Sequence, residues 1–503
     1  MDSIEKANSV GKAHDEELSG GGLPAGKNEQ RRLELEARLA AQVKALDARY
    51  RFAMYGGKAC VVDTELGGEL EGEDPVLRPN EFKSKYQNRF ASVLDAKSER
   101  QILVANAWLS SPTRSTYEAL VFRPDREPHQ TRLDGKLVLN QWRGFAFDPS
   151  STGSWEKLRT HWLVNICQRN VEHYLYQFAW FAQQFRRRVA DGKPGINLVL
   201  RGVRGTGKTL LIQAIGRLLG PHFLKANKPE HITGRFNAHL ATCLLLYCNE
   251  ALWAGSRSDE SALKNLITGE DFLVERKNFT PHMAKNYIWV VTDSNSDWVV
   301  PAALEHERRF AVFDVPENDH IGDTAYWLAI KEQLDDGGYA RLLYDLLNLK
   351  TLKINEQHVE IDAIDLRKVP QTQALAEQRA HTLSPVLAFL AHIADVGEIR
   401  SPTQRAFLTQ SGLRISKADF RDAFADFCTS QRLHLPSPDT VGRLLKSALK
   451  IPHHDPGGRC AGPAFLVGRT EYSLPPIDVV RARLDLKLGR EREAEDNELD
   501  ETV

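Results

Sequence analysis

The 503-residue sequence predicts an α/β layered fold, with a largely parallel sheet mid-chain, a helical segment before it and a second, helix-rich domain behind it. Three observations carry that expectation. Four short apolar runs, Ile196–Leu200, Cys243–Cys248, Tyr287–Thr292 and Phe310–Val315, alternate with helical stretches, as strands buried on both faces do. From Trp155 the apolar spacing is helical, through Leu158, Trp162 and Ile166, then Val171, Leu175, Phe178, Phe181 and Phe185. From Ser384 helical patterning resumes and closes on a turn and a short apolar run.

Taken in chain order, residues 1 to about 28 are polar, include Gly20-Gly21-Gly22 and read as a disordered lead. Glu29 to Ala48 lacks Gly and Pro and reads as an exposed or partner-seeking helix, so 1–48 form a lead plus a charged helix. Tyr50, Phe52 and Met54 alternate up to Gly56-Gly57, and Ala59 and Val61 alternate after it, which predicts a hairpin within a small mixed α/β domain over 49–150. The helical segment spans 151–194, with its aromatic stripe read as core. Arg186-Arg187-Arg188 reads as a solvated helix end, with phosphate contact the lesser alternative. The sheet domain covers 195–350, and 351–382 read as a polar connector around Pro370. In 383–490, Ser416 with Asp419 makes a capping-box start for a helix through Phe420, Phe424 and Phe427. Pro438 to Lys450 follows as a second helix, then Gly457-Gly458 and Ala464–Val467. Helix, helix, hairpin is the outline of a winged-helix-like domain. An acidic tail occupies 491–503.

Composition excludes several classes. With 42% hydrophobic, 26% charged and 8% aromatic residues the chain is an ordinary globular one. No apolar run approaches the roughly 18 residues that cross a bilayer, and Met1-Asp2-Ser3-Ile4-Glu5-Lys6 has no signal-peptide pattern. Cysteines at 60, 167, 243, 248, 428 and 460 form no CxxC pair, which reads as free thiols in a reducing cytoplasm. Net charge is −1, but Glu491 to Val503 carry seven acids and one base, leaving a body near +5. So mild a balance restricts any nucleic-acid contact to local patches.

The chemistry concentrates around Gly202-Val203-Arg204-Gly205-Thr206-Gly207-Lys208-Thr209, which satisfies GxxxxGK[ST] between a strand and the amphipathic stretch that opens at Leu210. Glycines there let backbone N–H groups converge on phosphate oxygens, and the helix N-terminus adds its positive end. Lys208 is expected to reach the β- and γ-phosphates of a bound nucleotide, and the Thr209 hydroxyl to ligate Mg²⁺. At the tip of the second apolar run stand Asn249 and Glu250. Glu250 is the expected general base or water-orienting group. Asn249 occupies a place where an acid would hold the metal by charge. An amide there is a neutral acceptor, so Thr209, Asn249 and Glu250 are expected to bind Mg²⁺ more weakly while hydrolysis survives. The third run leads into Asp293-Ser294-Asn295, where Asn295 is expected to bridge the γ-phosphate and the attacking water, a turn-forming Asn being the alternative. Arg308 and Arg309 precede the fourth run. One of them, with Arg308 favoured, is expected to act as an arginine finger on a neighbouring subunit's nucleotide.

The runs Phe236-Asn237-Ala238-His239-Leu240, Asn249–Gly255, Leu263–Thr268, Ser294-Asn295 with Trp298–Pro301, and Glu307-Arg308-Arg309-Phe310 occur in that order. This succession resembles the helicase domain of phage-type primase-helicases and primase-polymerases, a superfamily 3 branch of AAA+-like P-loop NTPases. The likeness is dense over 196–315 and looser on either side. It implies a hexameric ring that hydrolyses ATP and moves along single-stranded DNA. It also implies a pore hairpin between the Glu250 and Asn295 runs, where Arg276, Lys277, His282 and Lys285 suit phosphate tracking. Upstream no cluster of metal-binding carboxylates reads as a priming centre, so a separate primase or polymerase is the expected partner.

Arg443, Lys446 and Lys450 lie at helical spacing in the second C-terminal helix. Phosphate contact and a plain solvated face are equal readings there. His453-His454-Asp455 reads as a loop rather than a metal site. The reading is therefore an ATP-dependent DNA helicase of a phage, prophage or plasmid replication module. Its rival, kept open by Asn249, is a nucleotide-switched DNA-binding or loader protein that unwinds little. A degenerate ATPase kept as a scaffold is disfavoured by the intact Lys208 and Thr209.

Overall fold

The computed structural model describes residues 25–65, 74–95, 98–186, 193–249, 257–303, 307–354, 357–431, 433–448, 466–467 and 470–488. The chain divides into two compact units, 1–120 with 132–139, and 121–131 with 140–503.

In the first unit a helix spans Ala25–Arg49. Its Leu39, Val43 and Leu46 recur at helical spacing and pack against a core that holds Tyr50, Phe82 and Trp108. This corrects the expectation of an exposed helix: the charged residues cover one side, and the leucine stripe buries the other. The predicted hairpin is present as Tyr50–Tyr55 paired with Lys58–Asp63. Gly56 (φ 55°) and Gly57 (φ 75°) both adopt the left-handed conformation that a two-residue turn requires. At its end the buried Asp63 carboxylate accepts from Arg49 Nε at 2.8 Å and Nη2 at 2.7 Å, tying helix to hairpin.

The second unit is built on a five-stranded, all-parallel sheet. Its strands are β1 (Asn197–Arg201), β2 (Phe223–Ala226), β3 (Leu245–Asn249), β4 (Trp289–Ser294) and β5 (Phe310–Asp314). The spatial order is β2-β3-β4-β1-β5. Val199, Leu246, Val291 and Val312 are fully buried, as a sheet covered on both faces demands. Two helical pieces precede it: Glu156–His161, running into a wider turn at Trp162–Ile166, and α1 (Val171–Arg186). The aromatic stripe is core, as expected. Trp162, Tyr174, Phe178 and Trp180 are all wholly buried, and Trp162 Nε1 donates to Gln177 Oε1 at 2.8 Å.

Several details differ from the sequence expectation, among them an added strand, β2, and one-residue shifts at the ends of β1 and β5. β4 was expected over Tyr287–Thr292 but runs Trp289–Ser294, because Tyr287 and Ile288 are buried lead-in residues and the ladder continues two positions further. β3 likewise ends at Asn249 rather than Cys248. Finally, 351–382 is no polar connector. Leu352, Ile361, Leu366, Val369 and Leu375 join the main core, and α4 (Gln373–His381) packs beside the sheet, its Thr372 cap donating to Val312 O at 2.5 Å.

The rest of the unit runs helix Pro385–Val396, strand Leu413–Ser416, helices Lys417–Ser430 and Pro438–Ala448, then strands Leu466–Val467 and Glu471–Leu474. The three strands form an antiparallel sheet with Glu471–Leu474 in the middle. Ser416 caps its helix as the sequence predicts, accepting from Asp419 N at 3.0 Å. Residues 1–24, His453-His454-Asp455, Lys450 and the acidic tail lie outside the described residues. No helix among the described residues is long and apolar enough to cross a membrane. The described cysteines 60, 167, 243, 248 and 428 are buried free thiols.

Candidate active site

The Gly202–Thr209 loop joins the end of β1 to α2 (Lys208–Arg217), at the sheet edge where β1, β3 and β4 all end. Two glycines are required by geometry. Gly202 has φ 148°, and a Cβ there would lie 1.9 Å from Val315 O; Gly207 has φ 90°, and a Cβ there would lie 2.2 Å from His161 Nε2. A side chain at either place would push the loop off the sheet. Lys208 is nearly buried, and its Nζ donates to Gly202 O at 2.8 Å and Val203 O at 2.6 Å, so the ammonium sits inside the loop's own curve.

Behind the loop lies a closed ring of four hydrogen bonds. Tyr247 OH donates to Thr209 Oγ1 at 3.2 Å, and Thr209 Oγ1 donates to Asp293 Oδ2 at 3.0 Å. The Asn249 amide donates to Asp293 Oδ1 at 2.8 Å and to Tyr247 OH at 3.0 Å. Each N–H and O–H of the ring has its own acceptor and the directions do not conflict. Burial, with the neighbouring Asp293 carboxylate, pushes the Tyr247 phenol far up, so it stays a proton donor. The ring also accounts for Asn249. Register sets Asn249 opposite Asp293, and a second carboxylate 2.8 Å away would force one of the pair to hold a proton. The carboxylate absent at position 249 is supplied from β4, by Asp293.

Asp293 joins the candidate site and is not among the residues the sequence singles out. The sequence puts Asp293 just past the expected strand end at Thr292 and favours Asn295. In the structure Asp293 is a buried member of β4, while Asn295 is exposed and lines the same cleft two residues further on. Glu250 lies outside the described residues. The cleft, of about 450 Å³, is bounded by residues 204–210, Asn249, Asp293 and Asn295, and on the far side by Trp327 and Lys331 of α3 (Thr324–Gln333). That volume suits a nucleotide-sized ligand. Thr209 and Asp293 supply a hydroxyl and a carboxylate oxygen at its floor, a donor pair suited to a hard divalent cation such as Mg²⁺.

Arg308 is exposed and Arg309 half-buried, at the start of β5. Register pairs Phe310 with Asn197, so both arginines stand at the opposite edge of the sheet from Gly202, separated by the length of β1, about 13 Å at 3.3 Å per residue. Neither lines the cleft of its own chain. Between β3 and β4 the chain forms a two-stranded hairpin, Asp271–Val274 with His282–Lys285. Its cations are not equivalent. Lys285 Nζ pairs with Asp271 at 3.1 Å, the Arg276 guanidinium lies 6.0 Å from the Phe279 ring centre, and Lys277 is exposed in the turn. Arg443 is exposed on Pro438–Ala448, and the side chain of Lys446 lies outside those described.

His161 braces the loop from behind. It is fully buried, with Nδ1 3.0 Å from both Tyr326 OH and the Asn165 amide. Burial, with His320 nearby, lowers its pKa to about 4, so the ring is neutral at physiological pH.

A GxxxxGKT loop at the carboxyl edge of a parallel sheet, with a buried acid bonded to its threonine, is an arrangement that can take up a phosphate group. Residues 200–309, which contain it, match a family described as of unknown function (DUF5906). Over 183 residues the chain is 26% identical to a DNA primase-polymerase of Nitratiruptor phage NrS-1; the match takes in 35% of this chain and 24% of that protein. The chain therefore aligns with about a quarter of that relative's length. Two apo structures of the NrS-1 C-terminal region share its fold, with TM-scores of 0.53 and 0.51 at 14% identity. Each covers 86% of this chain and 98% of the matched one.

Proposed function

We propose that this chain is an AAA+-like P-loop ATPase of a phage-type replication system, and that it couples ATP hydrolysis to movement on single-stranded DNA. The observation that carries the reading is the Thr209–Asp293 pair, 3.0 Å apart at the floor of the cleft behind the Gly202–Lys208 loop. Similarity to a phage DNA primase-polymerase supports the replication context.

In this reading the loop's backbone N–H groups hold the phosphates and Lys208 turns from its own carbonyls to the β- and γ-phosphates. Thr209 and Asp293 would hold Mg²⁺, with Asn249 fixing the carboxylate; when bound, the ion neutralises phosphate charge. Glu250, directly after β3, takes the proton of the attacking water, and Asn295 orients that water. Arg308 or Arg309 from a neighbouring copy meets the γ-phosphate, which suits their place on the far edge of the sheet and calls for a ring, a hexamer in this reading. The hairpin, led by Lys277, follows the DNA backbone, and the C-terminal helices with their three-stranded sheet act as a winged-helix-like DNA-binding element. Priming falls to a separate primase or polymerase in the host cytoplasm.

The test is ATP turnover by the purified protein with and without single-stranded DNA, beside Lys208→Ala. DNA-stimulated turnover that vanishes in the variant supports the motor reading. Tight ATP binding without turnover favours a nucleotide-switched loader instead, with Asn249 the residue responsible.

A further inference from the structure

Between the helix Pro385–Val396 and the strand Leu413–Ser416 the chain makes a short hairpin, Glu398–Arg400 paired with Arg405–Phe407, to which the reading above gives no role. Its two faces differ sharply. Ile399 and Ala406 stand opposite each other and are buried in the core that holds Phe389, Phe420 and Leu445. The flanking pairs, Glu398 with Phe407 and Arg400 with Arg405, therefore share the other face. Phe407 is 54% exposed there, and the Arg400 and Arg405 side chains are 70% and 57% exposed, whereas the Glu398 side chain is nearly covered.

One carboxylate binds both guanidiniums. Arg400 Nε donates to Glu398 Oε1 at 2.5 Å, and Arg405 Nε donates to Glu398 Oε2 at 2.5 Å. Each of these bonds engages Nε and leaves the Nη donors of the fork for a second acceptor. Two cations on one anion give the trio a charge of +1, and the bonds from Arg405 and Arg400 hold the Glu398 carboxyl below its ordinary range, so that charge persists at neutral pH. The Arg405 guanidinium lies 5.1 Å from the Phe407 ring centre, which sets a cation beside an exposed aromatic ring. The hairpin is also anchored. Ser401 Oγ donates to Asp419 Oδ1 at 2.9 Å, Thr403 Oγ1 donates to the same oxygen, and Leu408 N closes the base on Gly397 O at 2.9 Å. Asp419 further accepts from Ser416 Oγ at 2.5 Å, so this neighbouring acid is engaged by hydroxyls rather than by the arginines.

We propose that this hairpin is a contact for single-stranded DNA, in which the Arg400–Arg405 pair takes a backbone phosphate and the Phe407 ring stacks on a neighbouring base. Two guanidiniums already ordered by a shared carboxylate bind an anion with little further loss of side-chain freedom. An exposed aromatic ring beside them adds nothing toward an acidic protein or a duplex, whose bases are stacked on one another, but it matches the open face of an unpaired base. The inference goes beyond the motor reading, since it requires neither a bound nucleotide nor a ring of subunits, and takes from it only that the chain meets single-stranded DNA.

The experiment is fluorescence anisotropy on the full chain without nucleotide, with a labelled DNA single strand and a duplex of the same length, over a salt series and with polyglutamate as competitor. It is repeated on Phe407→Ala, Phe407→Trp and Arg400→Ala. Phe407→Ala is expected to weaken single-strand binding about fivefold or more while duplex binding stays within about twofold, and Phe407→Trp to retain wild-type affinity. Arg400→Ala leaves Arg405 on Glu398, so no buried carboxylate loses its partner; it is expected to weaken single-strand binding and to reduce the salt slope by about 0.7, the value for one phosphate contact. Because Phe407 is half exposed, its replacement removes no core contact, and an unchanged thermal melt checks that the fold persists. Unchanged single-strand affinity in Phe407→Ala overturns the hairpin contact and leaves the motor reading intact. An equal loss on the duplex overturns base stacking, and displacement of DNA by polyglutamate at equal charge makes the partner an acidic protein instead. A wild-type chain that binds no single strand overturns both the hairpin contact and the movement on DNA proposed above.

Discussion

Thr209 and Asp293 lie 84 positions apart in the chain, and a 3.0 Å hydrogen bond joins them at the carboxyl edge of the sheet. The contact exists because β4 stands between β1 and β3, so its last residues border both the loop and the Asn249 tip. A hydroxyl and a carboxylate so placed are ready to share one cation.

Removing that carboxylate should cost most of the activity. Asp293→Asn keeps the shape of the ring but removes its charge, and ATP hydrolysis is expected to fall about a hundredfold or more, equivalent to some 2.7 kcal/mol. Steady-state turnover at saturating Mg²⁺ checks it. Wild-type rates in the variant would leave Asp293 a structural residue.

Asn249→Asp makes the opposite change. It sets two carboxylates within hydrogen-bonding distance, so the metal-free protein is expected to melt a few degrees lower. Added Mg²⁺ should recover the loss. Thermal melts with and without the ion distinguish this from a general packing defect, which the ion would not repair.

Gly207→Ala brings a methyl group against the buried His161 ring and Trp327. Because the residue also has φ 90°, the loop must move, and ATP affinity is expected to drop at least about tenfold with far-UV circular dichroism unchanged. A neutral result would show that the loop relaxes without harm.

Acid should weaken the second unit through His161. Its folded pKa of about 4 is below the ordinary 6.5, so the neutral form is the one the fold keeps. The unfolded chain takes up the proton first as pH falls. Stability is thus complete above about pH 6.5 and is lost between there and about 4, to a ceiling of about 3 kcal/mol. Urea melts across that range, compared with His161→Gln, measure the share that belongs to this ring.

In the first unit Leu46→Ala should cost about 2–4 kcal/mol, whereas Leu33→Ala, at a 55% exposed position on the same helix, should cost almost nothing. Equal, small effects would restore the exposed-helix reading.

The sheet and the loop were legible because their signals are local. A glycine-rich run between an apolar strand and an amphipathic helix is read within a dozen residues. Asp293 was hidden because its meaning depends on where β4 stops, and a two-residue shift brings a residue just past the expected strand end into the strand, facing Thr209. The buried stripe of the first helix was masked by its charged companions, since Leu39, Val43 and Leu46 are few among many Arg and Glu. α4 was missed for a related reason. Its buried Gln378 and Arg379 look like solvent-facing residues, and only the fold supplies the backbone partners that let them enter the interior.

Gln378 has one more consequence. Its amide is spent entirely on the segment that follows Asn295: Oε1 accepts from Val299 N at 2.7 Å and Val300 N at 3.1 Å, and Nε2 donates to Asp297 O at 2.6 Å. From the same side Arg201, the last residue before the loop, also donates to Asp297 O and pairs with Glu377 of α4 and with Asp314. The strand tip that faces the cleft and the helix that leads into the carboxyl-terminal third are thus pinned to one another like a crank and its connecting rod. A displacement of ångströms at the tip must be carried along α4 or break three hydrogen bonds to one glutamine.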